Sequence, residues 1–170
     1  MVPLPTIYNG VRYRSRAEAR WAVVFDKLGW KHFYEPEAFG LPSGPYLPDF
    51  YLPDVEAYFE VKGMPPTLQE RLLAEELCEA TETIVLISTG PPNPDRKIFD
   101  EDLIVFYPER VDDDEVVAFD YGGGFVDRRC HYHAACSIEL GNLCHLGSVN
   151  EIDWRTAFRA AASARFGIFE

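Results

Sequence analysis

Long apolar runs are missing from this chain. No stretch approaches the roughly 20 consecutive apolar residues of a membrane-spanning helix, so no membrane role is expected. The opening Met-Val-Pro-Leu-Pro-Thr-Ile-Tyr lacks the basic region followed by an apolar region that marks a secretory leader, and a cytoplasmic location is the expectation. Cysteine is sparse, with four residues, which in a reducing compartment read as thiols or metal ligands rather than disulfides. Positive charge is also short. Lys and Arg number 16 against 28 Asp and Glu, and the net charge of -12 argues against a simple nucleic-acid binder. Neither an internal repeat nor a coiled-coil pattern is present.

What is there is a globular composition, 47% hydrophobic and 14% aromatic, in 170 residues. That is one domain with room for a small appendage, and enough apolar surface for a sizeable core. The charge is unevenly spread. Residues 1–34 hold six basic residues (Arg12, Arg14, Arg16, Arg20, Lys27, Lys31) and two acids (Glu18, Asp26), for +4, and the remainder carries -16. Any polyanion should therefore meet the N-terminal segment. Arg12, Arg14, Arg16 and Arg20 read as a patch for a DNA backbone or as a solvated helix end.

Asn9-Gly10 between β-formers signals a hairpin. Ser15 is a good helix N-cap with Glu18 at capping-box spacing, and Ala17, Trp21, Val24, Phe25 and Leu28 recur at helical spacing until Gly29. Residues 31–39 read as a strand interrupted by Pro36, with Glu35 and Glu37 as surface acids. The segment 41–45 reads as a loop. A second helix is predicted over 67–80, with Leu68, Leu72 and Leu77 on its apolar face and Cys78 in the core. A buried strand follows over 83–88. Two more strands are predicted over 103–107 and 115–119, a boundary at Gly122-Gly123-Gly124, and a terminal helix over 151–166. The divisions are 1–121, a Cys/His-rich segment 122–150, and a helical end 151–170. The order of elements predicts a mixed α/β (α+β) fold.

Residues 46–62, Tyr-Leu-Pro-Asp-Phe-Tyr-Leu-Pro-Asp-Val-Glu-Ala-Tyr-Phe-Glu-Val-Lys, carry the chemistry. Pro53 to Glu56 is a turn signal between two alternating aromatic runs. With Asp54-Val55 as a two-residue loop, Pro53 faces Glu56 and Asp49 falls opposite Glu60. Lys62 shares their face. Like charges directly opposite on a hairpin are destabilising, so the placement points to a cation held between them. The plainer alternatives are a turn aspartate at Asp49, a solvated Glu60–Lys62 strand face, and a capping acid at Glu18.

The order of elements and the pattern Pro48-Asp49, ten residues, Glu60-Val61-Lys62 resemble the PD-(D/E)XK nuclease superfamily. The strings R-S-R-A-E, Y-E-P-E, Y-L-P-D-F and F-E-V-K-G are most similar to transposon-end nucleases and to small phage-encoded endonucleases, over roughly residues 7–90. The resemblance implies a restriction-endonuclease-like core, a mixed sheet flanked by helices. It further implies Mg²⁺ or Mn²⁺ held by Asp49, Glu60 and the Val61 carbonyl, with Lys62 and Glu18 as further catalytic residues. The implied substrate is DNA, and many members cut as dimers, so a homodimer is a possible state.

Residues 130–145 read Cys-His-Tyr-His-Ala-Ala-Cys-Ser-Ile-Glu-Leu-Gly-Asn-Leu-Cys-His. Zn²⁺ takes four N or S ligands, often as two close pairs. Cys130 and His133 make one pair, and Cys144 with His145 or Cys136 completes a set. The two C-x-x-C pairs of an ordinary ribbon are missing, and adjacent Cys144 and His145 do not easily bind one ion. The readings are a structural zinc ribbon, a metal-free remnant of one, or a core with buried cysteines. The terminal Ala-Ala-Ser-Ala-Arg-Phe resembles the end of a helix that follows such a ribbon in phage relatives.

The expected activity is metal-dependent hydrolysis of DNA phosphodiester bonds. The rival is a nuclease-fold binding or inhibitor protein. Its acidic stretch Asp95–Asp120, with ten acids and three basic residues, would mimic DNA toward a host or phage protein. A third reading is an acidic nuclease subunit that relies on another chain for DNA affinity.

Overall fold

The computed structural model describes residues 3–95, 103–106, 108 and 151–168. The predicted strand over 115–119, the glycine boundary and the Cys/His segment lie outside the described residues.

Strands β1 (Thr6–Tyr8) and β2 (Val11–Tyr13) form a hairpin. Asn9 and Gly10 both take positive φ, 47° and 78°, as the two-residue turn of a right-twisted hairpin requires. Helix α1 (Arg16–Leu28) starts at Ser15, whose side chain accepts the Glu18 N–H, and ends at Gly29 in the left-handed region. Ala19, Ala22 and Val23 are buried along with Trp21, Val24 and Phe25, so the helix is covered on more than one stripe.

Strand β3 (Phe33–Tyr34) is short, and Glu35 follows it at φ 46°. The segment expected to be a loop is the turn of a second hairpin, β4 (Phe39–Leu41) with β5 (Gly44–Tyr46). Its turn is tied down by Ser43, whose N–H and hydroxyl donate to Glu76 at 3.0 and 2.6 Å. Strands β6 (Phe50–Leu52) and β7 (Ala57–Lys62) pair antiparallel, Phe50 with Phe59, Tyr51 with Tyr58 and Leu52 with Ala57. That is the register read from the sequence. The connection itself differs: residues 53–56 form the whole turn, with Glu56 at φ 48°. Lengthening a hairpin loop symmetrically by one residue on each side leaves the pairing unchanged.

Helix α2 (Leu68–Thr81) has a full capping box between Thr67 and Glu70 and carries the chain to β8 (Ile84–Thr89), parallel to β7. Strand β9 (Leu103–Phe106) pairs antiparallel with β8, giving a mixed sheet ordered β3-β6-β7-β8-β9. Helix α3 (Glu151–Ser163) packs on α1, and β10 (Gly167–Ile168) pairs with β1, so the C-terminal elements share the core of the N-terminal ones.

The chain is thus α+β, a mixed sheet flanked by helices. One apolar cluster lies between the sheet and α1/α3, with Trp21 at 4.7 Å from Phe59 and 5.5 Å from Phe158, ring to ring. The second covers the other face beneath α2 and the β4–β5 hairpin. The apolar face of α2 differs from the expected one. Leu68 is 85% exposed and Leu72 41% exposed, while Ala74, Leu77 and Cys78 are buried. At about 100° per residue, Leu68 and Leu72 lie roughly 180° and 140° round the helix from Leu77, on the side turned away from the core. The burial of Cys78 matches its expected place in the core.

Two substitutions measure this difference. Leu77→Ala should lower stability by about 2–5 kcal/mol through the cavity it leaves, and Leu68→Ser should change it by no more than about 0.5 kcal/mol. Urea unfolding of both variants reads the contrast directly.

Candidate metal centre

The register that pairs Phe50 with Phe59 brings Asp49 and Glu60 to the next position along the same two strands. Both are buried, at 3% and 5% exposure. Their carboxylates cross rather than collide. The Asp49 N–H donates to Glu60 Oε2 at 3.1 Å, and the Val61 N–H donates to Asp49 Oδ2 at 2.8 Å. Each acid is thereby held by a main-chain donor of the opposite strand, a strong charge-assisted bond. Among the contacts seen, Val61 therefore serves through its N–H.

Positive groups close the site on two sides. Arg14, just past β2, places Nη2 at 2.6 Å from Asp49 Oδ1 and Nε at 2.8 Å from Glu35 Oε1. Lys62 places Nζ at 2.8 Å from Glu60 Oε1 and 3.1 Å from Glu70 Oε1. Glu18 completes the group from α1. Its Oε2 accepts from the Tyr34 hydroxyl at 2.6 Å and from the Arg14 N–H at 3.0 Å. The capping reading of Glu18 holds only in half: its N–H bonds the Ser15 side chain, while its carboxylate turns to Arg14 and Tyr34. Main-chain bonding adds a further tie, since the Glu35 N–H donates to the Asp49 carbonyl at 2.8 Å.

Burial pushes the Asp49 carboxyl up to about 8, and the charges of Glu60 and Glu18 push the same way. The Val61 N–H and Arg14 oppose them without prevailing. Burial pulls the Lys62 ammonium down, but Glu60 and Glu70 outweigh it and its pKa is raised. Burial also raises the Tyr46 phenol, assisted by the charges of Glu60 and Asp49. Its hydroxyl is buried beside the Glu60 carboxylate.

Among the described residues, no three His, Cys, Asp or Glu side chains stand together as a ready metal cage. The donor chemistry nevertheless fits a hard divalent cation. Asp49 and Glu60 offer carboxylate oxygens, which Mg²⁺ prefers while keeping several waters of its own. The five acids of the patch (Glu18, Glu35, Asp49, Glu60, Glu70) face two cations (Arg14, Lys62), leaving an excess of negative charge. The buried Tyr46 hydroxyl, beside Glu60, adds a further oxygen.

Of the basic patch, Arg14 joins the carboxylates. Arg12 and Arg16 are exposed, and Arg20 is half-buried with Nε unpartnered among the described residues. Glu35, expected to be a surface acid, instead anchors Arg14, and Glu37 is exposed as expected. The sequence reading missed Tyr34, Tyr46 and Glu70. Glu70 had a visible signal, the Thr-x-x-Glu capping spacing at 67–70. Nothing in the pattern pointed to the others. Cys130, His133, Cys136, Cys144 and His145 lie outside the described residues. Comparison with protein-family models, with curated proteins and with solved structures finds no match to this chain.

A carboxyl whose folded pKa lies above its unfolded value binds more protons when folded. Its contribution is complete below the unfolded value, near 4, and is lost as pH rises toward about 8. In the presence of a chelator the protein should therefore be less stable at pH 8 than at pH 5. Asp49→Asn should flatten that difference, which urea titrations at the two pH values measure.

Proposed function

We propose that this protein is a divalent-metal-dependent endonuclease with a restriction-endonuclease-like core, hydrolysing DNA phosphodiester bonds. The observation that carries the reading is the crossed, buried pair Asp49 and Glu60 with Lys62 beside it, on the hairpin where the PD-(D/E)XK resemblance expects them. Two buried acids at adjoining strand positions destabilise a fold unless a cation compensates them. That is reason to expect a function at this place.

Asp49 and Glu60 would hold Mg²⁺ or Mn²⁺, with Glu18 and the Tyr46 hydroxyl near enough in the fold to act through bound water. A bound divalent cation neutralises phosphate charge and makes a water acidic enough to attack. The protein's own part is positional. Val61 and Asp49 main-chain donors fix the two carboxylates. Glu60 and Glu70 fix Lys62, whose ammonium is a compact point charge suited to a phosphate oxygen or an attacking water. Exposed Arg12 and Arg16 lie on the elements that flank Arg14, the side from which a polyanion would approach an otherwise acidic molecule.

Zinc bound by Cys130, His133, Cys144 and His145 remains part of the proposal, as does a homodimeric state. The rival reading, an acidic inhibitor of a host protein, depends on the stretch 95–120, most of which lies outside the described residues. No helix among the described residues is long and apolar enough to cross a membrane.

Plasmid, branched and single-stranded DNA incubated with Mn²⁺ or Mg²⁺ tests the proposal. Cleavage is expected with metal and not with chelator. Asp49→Ala, Glu60→Ala and Lys62→Ala should each lower the rate about 100-fold or more. Full activity in the Asp49 and Glu60 variants, or no cutting of any substrate, would contradict it.

A further inference from the structure

Arg14 occupies the most exposed approach to the most buried acid of the site. Its side chain is 54% exposed, while the Asp49 side chain it pairs with is 4% exposed. One nitrogen, Nη2, lies 2.6 Å from Asp49 Oδ1, and another, Nε, lies 2.8 Å from Glu35 Oε1. The other oxygen of Asp49 accepts the Val61 N–H. Any ion that binds Asp49 at Oδ1 must therefore share that oxygen with a cation or remove it.

The main chain of Arg14 is fixed independently of its side chain. Its N–H donates to Glu18 Oε2 and to the Tyr34 hydroxyl, at 3.0 and 2.9 Å. Letting the guanidinium leave Asp49 does not require β2 or α1 to move. Glu35 offers it a place to go, because that acid is 32% exposed and holds a different nitrogen of the same fork. Lys62 is built alike on the other side, between Glu60 and the outer acid Glu70. It is less exposed, at 22%, and so is the less easily released of the two.

We propose that Arg14 is the resting counterion of the metal site, a built-in competitor that a divalent cation displaces from Asp49 while Glu35 retains the guanidinium. This rests on the metal-binding reading above and adds its regulation. Asp49 stays paired and closed off in the metal-free protein, and it opens at a cation concentration set by Arg14. Two like charges compete for one buried carboxylate, so removing the arginine strengthens metal binding rather than weakening it.

The test uses the full chain without DNA, so that no activity enters the readout. Mn²⁺ affinity is measured by calorimetry or by the loss of the free-ion electron spin resonance signal. Arg14→Gln should bind Mn²⁺ about tenfold more tightly than the wild type, the order expected for loss of one charge-assisted bond. Lys27→Gln, which removes a like charge from the exposed end of α1, should leave the affinity unchanged. Equal or weaker binding by Arg14→Gln, with the wild type binding and Asp49→Asn not binding, overturns the displacement and leaves the metal site standing. Binding by neither the wild type nor Arg14→Gln overturns both. A second measurement needs no folded variant. The Arg14 Nη–H resonances of the wild type, which report the bond to Asp49, should move during a Mg²⁺ titration with the same midpoint as binding, and Nη resonances that stay fixed while Mg²⁺ binds overturn the proposal.

Discussion

The buried carboxylate of Asp49 is the constraint around which this molecule is arranged. An isolated ionised acid at that depth is strongly unfavourable, so every neighbour is committed to it. The Val61 main chain donates from β7, Arg14 reaches from the end of β2, and the Asp49 carbonyl ties down Glu35 at the end of β3. Glu60 turns its own carboxylate back onto the Asp49 N–H. Four segments distant in sequence meet at one residue. The remaining imbalance is visible in the raised Asp49 pKa: burial, then the charges of Glu60 and Glu18, outweigh the Val61 N–H and Arg14.

This arrangement makes the fold and the site two aspects of one design. The aromatic layer of Phe25, Phe50 and Phe59 fixes β6 and β7 beneath α1, with Phe25 at 5.4 and 5.3 Å from the other two rings. That packing holds the register, and the register sets the two acids at adjoining positions. On the opposite face Tyr46 and Tyr58 pack beneath α2, and the same helix brings Glu70 to Lys62. Stability lost to the charged patch is offset by apolar burial on both sides of it, the usual pattern where a site stores strain.

The central part of this was legible from residues. Alternation in 50–52 and 57–61 fixed which side chains face which way, and parity in the turn was enough to give the pairing even though the turn is longer than two residues. Ser15, Gly29 and Asn9-Gly10 announced their elements because each performs a local task that few residues do as well. The misses share a different cause. Leu68 and Leu72 lie one turn apart on a stripe of their own, on the opposite side of α2 from Leu77, so the three leucines do not make one face. The roles of Glu35, Tyr34 and Tyr46 depend on contacts between segments far apart in the chain, and β10 joins β1 from the other end of it. Such pairings leave no trace in local spacing. The β4–β5 hairpin was hidden by Pro42, which sits in its turn, and by Pro45, which reads as loop but here pairs with Gly40.

The central claim is that the crossed carboxylates form a cation site whose resting occupant is an arginine. Crystals grown without metal and then soaked in Mn²⁺ at pH 8 test it most directly, through anomalous scattering. The account predicts a peak within bonding distance of Asp49 and Glu60, with the Arg14 guanidinium moved off Asp49 Oδ1 and still at Glu35. Manganese bound elsewhere, with Arg14 and Asp49 still paired, would contradict it.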